Sequence, residues 1–545
     1  MVGRVSVVLI VAVWASTLVV ASEKPSGGFS SQKPPDGFFE AADTCMVCHN
    51  NIITRTGVDV SIGADWRASM MANSARDPYW QAAVRREIMD HPESREAIED
   101  ACSICHMPMT TYPARAAGGL GRVFDHLPPG RPDDPDAVLA ADGVSCTVCH
   151  QIQPAKFGDP SSFTGGYVID VAPAGGVPKV FGPFAIDAGR TKVMQSSSGF
   201  QPNESTHIQQ SELCATCHTL FTHSLAPGAN GAILPEQTPY LEWQQSAFRD
   251  TRSCQSCHMP VVDEEIPLSK VLGQPRAGVS RHTFLGGNFF MMRMLNRYRT
   301  ELGVRATPTE MESGIARTVA HLTESTAHIA IVEAERVEGR LVADVVVENL
   351  AGHKFPTAYP SRRAWIQFTV TDAGGNVVFE SGAWTPDGRI TGNDNDIDAS
   401  RFEPHYGQID QPDQVQVYES VMGTPSGAVT TGLLNGAVYL KDNRLLPQGF
   451  NKAGATADVT PKGPAATDAD FTGGRDRVRY FVNTGTTTGD LTVTATLWFQ
   501  PIGFRWADNL RAYDAAETSR FVRYYQSMSS ESALAIATAS RTLGR

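Results

Sequence analysis

The sequence predicts an α+β protein in which an irregular first half with short helices is followed by a β-sandwich and a C-terminal helix. All ten cysteines lie between residues 45 and 257, where the connecting segments are rich in glycine, proline and serine. Hydrophobic alternation with a period of two, which is typical of strands, begins only after residue 340. The chain has 545 residues and a formal net charge of −12. This acidic balance argues against a nucleic-acid partner.

The first 21 residues have the pattern of a secretory signal peptide. Arg4 precedes an apolar run over residues 5–20, and Val19-Val20-Ala21 supplies small residues for cleavage. A retained membrane anchor is the alternative, but the run is shorter than the ~20 residues that a spanning helix needs. We therefore expect a signal peptide at 1–21, a flexible linker at 22–40, a periplasmic or extracellular location and no membrane span in the mature chain.

Every cysteine belongs to a Cys-x-x-Cys pair that is followed directly by histidine. The five motifs consist of Cys45, Cys48 and His49; Cys102, Cys105 and His106; Cys146, Cys149 and His150; Cys214, Cys217 and His218; and Cys254, Cys257 and His258. Disulfides do not explain the histidines, and structural zinc joins one Cys-x-x-Cys to another, which leaves one pair over. The pattern is that of covalent haem attachment, with the histidine as proximal ligand of the iron. The sequence thus predicts five covalently attached haem c groups.

Residues 41–305 are accordingly predicted to form a pentahaem cytochrome c domain. The motifs recur without a fixed period, so the region is not a solenoid. Only short helices are expected, for example over 77–89 and 240–248. We interpret the region as an irregular, short-helix multihaem cytochrome domain in which the porphyrins themselves form much of the core.

The second half begins with a helix start signal. Thr307-Pro308-Thr309-Glu310 is a capping box with proline at the first helical position, and it predicts a connecting helix at 306–335. Short strands separated by Gly and Asp turns then predict a β-sandwich domain at 336–503; they are expected at 341–347, 365–370, 376–379, 415–418, 478–482 and 491–499. A C-terminal helical segment at 504–545 is predicted to contain a helix from about residue 515 to residue 543.

The sixth ligands of the haem irons determine what such a domain does, because a six-coordinate haem passes electrons whereas an open position binds small molecules. Nine histidines lie outside the motifs, more than five haems require. The candidates are His282, followed by a Gly-Gly pair; His207, shortly before the fourth motif; His126, in a proline-rich loop; and His353, in a loop after a predicted strand. His91, His223, His321, His328 and His405 complete the set, and His321 and His328 fit a helix surface.

The chain also resembles a known group of proteins. Two motifs continue as CHMP, over His106–Pro108 and His258–Pro260, as in the multihaem c-type cytochromes related to cytochrome c-554, a group that includes the tetrahaem electron acceptor of hydroxylamine oxidation. The segment from Trp66 to Met71 is similar to the group's W-x-x-S-x-H segment, with Met71 where the distal histidine stands. The resemblance therefore implies that Met71 is a candidate axial ligand.

A second part of this resemblance concerns the larger secreted members that carry a β-domain. Gly352-His353-Lys354-Phe355-Pro356-Thr357 resembles their GHxFPT motif, and Lys441-Asp442-Asn443-Arg444 is similar to them more loosely. By motif, the resemblance covers about residues 41–360. It implies a secreted pentahaem cytochrome with a C-terminal β-domain.

Two functions remain open at this point. The first is electron transfer between redox partner proteins in a respiratory or extracellular chain, with self-assembly into a haem wire as one form of it. The alternative is an oxidoreductase that acts on a small nitrogen or sulfur compound at an open haem. A third hypothesis is that the β-sandwich binds a partner or a carbohydrate. No motif departs from CxxCH, unlike the CxxCK motif of pentahaem nitrite reductases, which favours electron transfer, and no catalytic residue is predicted.

Overall fold

The computed structural model describes residues 38–131, 133–171 and 176–544. The predicted signal peptide and most of the predicted linker lie outside these residues. The first half has twelve short helices: α1 Ala42–Met46, α2 Ile62–Arg67, α3 Pro78–Asp90, α4 Arg95–His106, α5 Pro108–Ala116, α6 Pro135–Ala141, α7 Cys146–Cys149, α8 Ala188–Ser198, α9 Ser211–His218, α10 Pro239–Gln244, α11 Cys254–His258 and α12 Phe289–Arg297.

Three small two-stranded sheets complete this half. They pair β1 Lys179–Gly182 with β2 Gln201–Glu204, β3 Leu220–His223 with β4 Ile233–Gln237, and β5 Ile266–Pro267 with β6 Pro275–Arg276. Long irregular loops connect all of these elements. The irregular, short-helix architecture that the sequence predicts is confirmed.

The second half begins with helix α13 Pro308–Ser325, whose Thr307–Glu310 capping box is formed. The elements that follow are β7 Ala327–Val337, β8 Arg340–Asn349, β9 Arg363–Asp372, β10 Val377–Ser381, α14 Asp394–Ile397, β11 Gln408–Ile409, β12 Val417–Tyr418, β13 Ser420–Gly423, β14 Val429–Thr430, β15 Val438–Asp442, β16 Arg475–Asn483, β17 Leu491–Gln500, α15 Phe504–Asp508, α16 Ala516–Met528 and β18 Leu534–Leu543.

Two of the sheets in this half pack face to face. One has the order β10-β9-β17-β18, with β12 paired to β9, and the other has the order β11-β16-β8-β7. Between them, Phe368 of β9 stacks on Tyr480 of β16 with ring centroids 3.8 Å apart, and both side chains are fully buried. The alternating apolar residues of these strands thus form one core, and the predicted β-sandwich and the α+β class are confirmed.

The predicted connecting helix at 306–335 is too long. Helix α13 ends at Ser325, and strand β7 begins at Ala327. A two-residue turn joins β7 to β8, and its residues Glu338 and Gly339 have φ angles of 49° and 77°, as a type I′ hairpin turn requires. Because the hairpin pairs β7 with β8 over its whole length, the segment becomes a strand.

The predicted final helix is also wrong in its second part. Helix α16 ends at Met528, and residues 534–543 form strand β18, which pairs antiparallel with β17. Hydroxyl groups face each other across the two strands, in the pairs Thr492–Thr542, Thr494–Ser540 and Thr496–Thr538, at 3.1–3.2 Å. Cross-strand pairs of this kind stabilise a sheet and outweigh the helix propensity of the alanines in this segment.

The two halves make direct polar contacts. Helix α3 of the first half packs on α16, and Arg85 forms an ion pair with Glu517 at 2.9 Å. Glu87 accepts hydrogen bonds from the backbone N–H groups of Leu433 and Leu434. The second half therefore packs directly against helix α3 of the cysteine-rich half. Among the residues that the structure describes, no helix is long and apolar enough to cross a membrane.

Candidate haem-binding site

The five CxxCH motifs lie on short helices or helical turns. The second motif ends α4, the third forms α7, the fourth ends α9 and the fifth forms α11, while α1 ends inside the first motif. Residues i, i+3 and i+4 share one face of a helix. Each motif therefore presents both thiols and the imidazole in the same direction.

That direction is toward one continuous cavity of about 2750 Å³ within the described part of the chain. Nine of the ten cysteines line it, all except Cys48, and so do all five motif histidines. Ligand pockets are usually about 300–1,000 Å³. The cavity is therefore far larger than one small ligand needs, and it suits several large planar groups.

Thiols from different motifs lie against one another in this cavity. Cys45 hydrogen-bonds Cys146, Cys105 hydrogen-bonds Cys217, and Cys214 hydrogen-bonds Cys254. Cys149 of the third motif lies near Cys217 of the fourth. The first motif thus adjoins the third, the third adjoins the fourth, and the fourth adjoins both the second and the fifth. All ten thiols are free.

Four motif histidines have the same hydrogen bond on Nδ1. Backbone carbonyl oxygens lie next to Nδ1 of His49, His106, His150 and His258, and the acceptors are Leu268, Ser74, Phe181 and Leu285. A carbonyl only accepts, so Nδ1 carries the hydrogen and Nε2 keeps its lone pair for a metal ion. Burial lowers the pKa of His106 and of His258 to about 4, which keeps both rings neutral at pH 7.

Two histidines from outside the motifs face motif histidines. The rings of His150 and His282 have centroids 6.3 Å apart, and those of His258 and His353 are 6.0 Å apart with planes 8° from parallel. An imidazole nitrogen lies about 2 Å from a bound metal ion. Two imidazoles on opposite sides of one ion therefore have ring centroids about 6 Å apart, which both pairs match.

His353 is held in place by buried charges. Lys354, the next residue, is fully buried and forms an ion pair with Asp442 at 2.7 Å. Arg444 bonds Asp442 at 2.8 Å and Glu242 at 3.0 Å. Burial by itself would raise the pKa of Asp442, but Arg444 and Lys354 outweigh it and hold that pKa well below its ordinary value.

This cluster of Glu242, Lys354, Asp442 and Arg444 joins the two halves of the protein. Glu242 lies on α10 of the first half and also accepts hydrogen bonds from Thr357 and from the backbone N–H of Lys354. The GHKFPT and KDNR segments, which are far apart in the sequence, therefore meet here. Their shared role is to fix the loop that carries His353 against the cavity.

The segment around Trp66 supports His282 in a similar way. Asp65 is buried and forms ion pairs with Arg281 at 2.7 Å and with Arg317 of α13 at 3.1 Å. Arg281 directly precedes His282, so this contact fixes the backbone at the ligand candidate. Met71 lines the cavity, and its carbonyl oxygen accepts a hydrogen bond from Val144, just before the third motif.

Two of the predicted distal ligands lie away from the cavity lining. His207 is buried, with Ser205 bonded to its Nδ1 at 2.6 Å and the carbonyl of Ile152 bonded to its Nε2 at 2.8 Å. A carbonyl only accepts, so Nε2 carries the hydrogen and Nδ1 accepts from Ser205. This arrangement leaves no free lone pair and does not support ligation by His207. His126 ends a short 3₁₀ turn outside the lining.

The cavity also reaches two histidines that the sequence did not favour. His223 at the end of β3 and His321 on α13 both line it, and the His321 ring lies 6.0 Å from that of His258. A helix-surface position was expected for His321. The face of α13 that carries His321 lines the cavity. No signal in the sequence distinguishes a helix face that lines a cavity from one that faces solvent.

A separate group of titratable residues lies in the β-sandwich. His405 Nε2 is 3.1 Å from Asp468 and 3.9 Å from buried Asp476. Gln416 and Asn443 both direct amide N–H groups at His405 Nδ1, and their amide oxygens accept from backbone N–H groups, which fixes their orientation. Nε2 of His405 therefore carries the hydrogen and donates to Asp468, so the ring is not poised to bind a metal ion.

The residues that line the cavity fit haem c as a group. Paired thiols stand beside five histidines, four of which have Nε2 free, and His282, His321 and His353 lie at the separation from a motif histidine that is expected across a metal ion. Cys102 and Cys149 are deeply buried, which raises the pKa of both thiols, that of Cys149 to about 12. Structural zinc joins one Cys-x-x-Cys pair to another, whereas each of these five pairs has its own histidine in the cavity lining, so the donor set suits covalent attachment better than a zinc site.

Comparison with known proteins gives one informative result. No family model matches the chain, and no curated protein matches it. Among solved structures, the crystal structure of a penta-heme cytochrome c552 from Thermochromatium tepidum is similar, with a TM-score of 0.50 and 14% sequence identity over 93% of this chain and 99% of that chain. The likeness extends over both halves and shows a shared fold.

Proposed function

We propose that this chain is a pentahaem c-type cytochrome that transfers electrons between redox partner proteins outside the cytoplasm. The observation that carries the proposal is the single cavity, into which all five CxxCH motifs point. The fold that this chain shares with a penta-heme cytochrome supports it, as does the export signal that the sequence predicts.

Each motif would hold one haem through its two cysteines, with His49, His106, His150, His218 and His258 as proximal ligands. Bound haem supplies one-electron chemistry at its iron. His282 is the proposed distal ligand opposite His150, since their rings lie 6.3 Å apart. His353 and His321 both lie 6.0 Å from His258, and we take His353 as its proposed partner because the two rings are 8° from parallel, against 57° for His321. Neutral imidazoles on both sides favour a low-spin, six-coordinate centre that passes electrons without binding substrate.

The adjacency of the motifs supports a continuous route for electrons. Motifs that adjoin through their thiols form a connected set in the order first, third and fourth, with the second and the fifth beside the fourth. The protein holds these sites rigidly through buried ion pairs such as Asp65–Arg281 and Lys354–Asp442. Partners that dock at different points of the surface would then exchange electrons through the chain.

One observation keeps an enzyme as a second candidate. Of the nine histidines outside the motifs, all of them in the described residues, only His223, His282, His321 and His353 line the cavity. Five haems with a distal histidine each would need five such residues, one more than these four. The remaining position is open to a small nitrogen or sulfur compound unless Met71 or another methionine of the lining occupies it.

Electron paramagnetic resonance of the purified, exported protein tests the proposal. We expect most haems to be low-spin and the midpoint potentials to spread over a broad range, because the sites are close and interact. A predominantly high-spin spectrum, or turnover of nitrite or hydroxylamine at the ~1–10³ s⁻¹ of dedicated enzymes, would favour the second candidate. A Met71→Ala variant that gains one high-spin haem would identify the methionine-bound site.

A further inference from the structure

Among the described cations that line the cavity, Arg362 is half-buried and has no anionic partner, whereas the unpaired Arg252 and Lys156 are exposed. Arg362 lines the cavity, and its guanidinium donates to two neutral oxygens, the carbonyl of Thr357 and the side-chain oxygen of Asn288, both at 3.0 Å. None of the described carboxylates forms an ion pair with it. Burial alone lowers its pKa to about 10, which leaves the side chain charged at pH 7.

Two other arginines near Arg362 in the sequence or in the cavity lining are paired with carboxylates. Arg363, the next residue, bonds Asp396 at 2.7 Å, and Arg115, which also lines the cavity, bonds Asp100 at 2.9 Å. A charge withdrawn from water without a counterion is unfavourable. Arg76 is buried and also donates only to carbonyl oxygens, but it does not line the cavity. Arg362 is half-buried and combines both features, since it lines the cavity and donates only to neutral oxygens.

The position of Arg362 relates it to two motifs. Arg362 donates to the carbonyl of Thr357, four residues after His353 in the same loop, and it lines the same cavity as His218 of the fourth motif. The hydrogen bonds to Thr357 and Asn288 fix the guanidinium but leave further N–H groups free, since an arginine has five in a planar fork. That fork matches a carboxylate bidentately.

We propose that Arg362 binds a haem propionate carboxylate in the part of the cavity beside the loop that carries His353. This inference rests on the proposed function. Each haem brings two propionates into the protein, and an arginine held on neutral oxygens is ready to neutralise one of them. Arg362 then acts as a positioning residue that also sets the potential of the adjacent haem.

The electrostatic consequence has a definite sign. A nearby positive charge favours the reduced, less positive iron, so loss of Arg362 lowers the midpoint potential. The propionate would also lose its partner, and its pKa would rise into the range between pH 5 and 8. The potential of that haem then falls as the pH rises through this range, whereas the paired propionate of the parent protein stays ionised and gives a flat profile.

Spectroelectrochemical titration of the holoprotein between pH 5 and 8 tests the assignment. In Arg362→Gln we expect one haem with a parent-like midpoint at pH 5. At pH 8 and at the same applied potential, the ratio of oxidised to reduced form of this haem should be about tenfold higher than in the parent. This ratio corresponds to a midpoint potential that is about 59 mV lower for a one-electron couple. Arg362→Lys keeps the charge and should restore the flat profile. Arg252→Gln is the matched control, because Arg252 lines the cavity but is exposed.

Several outcomes would overturn the inference. Retention of five haems and of the parent pH profile in Arg362→Gln would refute propionate binding while leaving the proposed function intact. Loss of nitrite-induced spectral changes in Arg362→Gln, with unchanged potentials, would assign the residue to an exogenous anion instead. If Arg362→Gln does not accumulate, Arg362→His gives the same test, because histidine loses its charge between pH 5 and 8; a flat profile in that variant contradicts the proposal. Absence of haem from the parent protein would refute the proposed function itself.

Discussion

Replacement of Asp442 by asparagine tests how the two halves fix the His353 loop. Asp442 is 3% exposed and bonds both Lys354, which is 0% exposed, and Arg444. The variant leaves the Lys354 ammonium buried without a counterion, while Arg444 keeps Glu242. Removal of one partner from a buried pair costs about 3–5 kcal/mol, and we expect the free energy of unfolding to fall by this amount.

The converse change should cost much less. Lys354→Met removes the buried ammonium and leaves Asp442 paired with Arg444, so we expect a loss of only about 1–2 kcal/mol. Asp470→Asn is a surface control, because its ion pair with Arg477 is 2.7 Å long but nearly half exposed on both sides. Exposed pairs contribute less than about 1 kcal/mol.

The pH dependence follows from the sign of the shift. Arg444 and Lys354 hold the pKa of Asp442 below its ordinary value of 3.8, so its stabilising contribution is present above that value and is lost as the pH falls below it. Denaturant titrations followed by circular dichroism should show a constant difference between Asp442→Asn and the parent above about pH 5, and a shrinking one below about pH 4. An equally stable Asp442→Asn variant with an unchanged low-spin haem count would refute the reasoning.

Three further substitutions have distinct expected results. His353→Ala should convert one haem to high spin without loss of its covalent attachment, whereas His328→Ala, at an exposed site, should leave the spectrum unchanged; an unchanged low-spin count in His353→Ala would end the assignment. His207→Ala should keep the low-spin count and lower the free energy of unfolding by about 1–3 kcal/mol, because two buried hydrogen bonds are lost; a new high-spin haem would contradict this. Burial raises the pKa of Glu236 to about 7, so the parent should lose stability as the pH rises from about 4.5 to 7, and Glu236→Gln should not; parallel pH profiles in calorimetry would refute it.

The sequence predicted those features that depend on local pattern. The CxxCH spacing places two thiols and an imidazole on one face of a helical turn whatever the surroundings, and all five motifs indeed face one cavity. The predicted strands at 341–347, 365–370, 478–482 and 491–499 are all found, and no end of these four moves by more than three residues. Here local signals and tertiary packing agree.

Features that depend on residues far apart in the sequence could not be predicted. The 327–337 and 534–543 segments are strands because β8 and β17 pair with them, and nothing within either segment reveals those partners. The positions of His207 and His321 could not be predicted for the same reason, since the fold decides which histidine faces the cavity. His207 lies outside the cavity lining, and His321 lies in it. Lys354 and Asp442 lie 88 positions apart, and only the assembled structure shows that they neutralise each other.

Intact-mass spectrometry of the exported protein tests the central claim most directly. The account predicts a mature chain that carries the added mass of five haem groups, since all five motif histidines and nine of the ten motif cysteines line the shared cavity. Replacement of both cysteines of one motif, for example Cys254→Ala with Cys257→Ala, should remove one haem mass and no more. A parent chain with fewer than five haem masses, or one whose cysteines are joined as disulfides, would contradict the account.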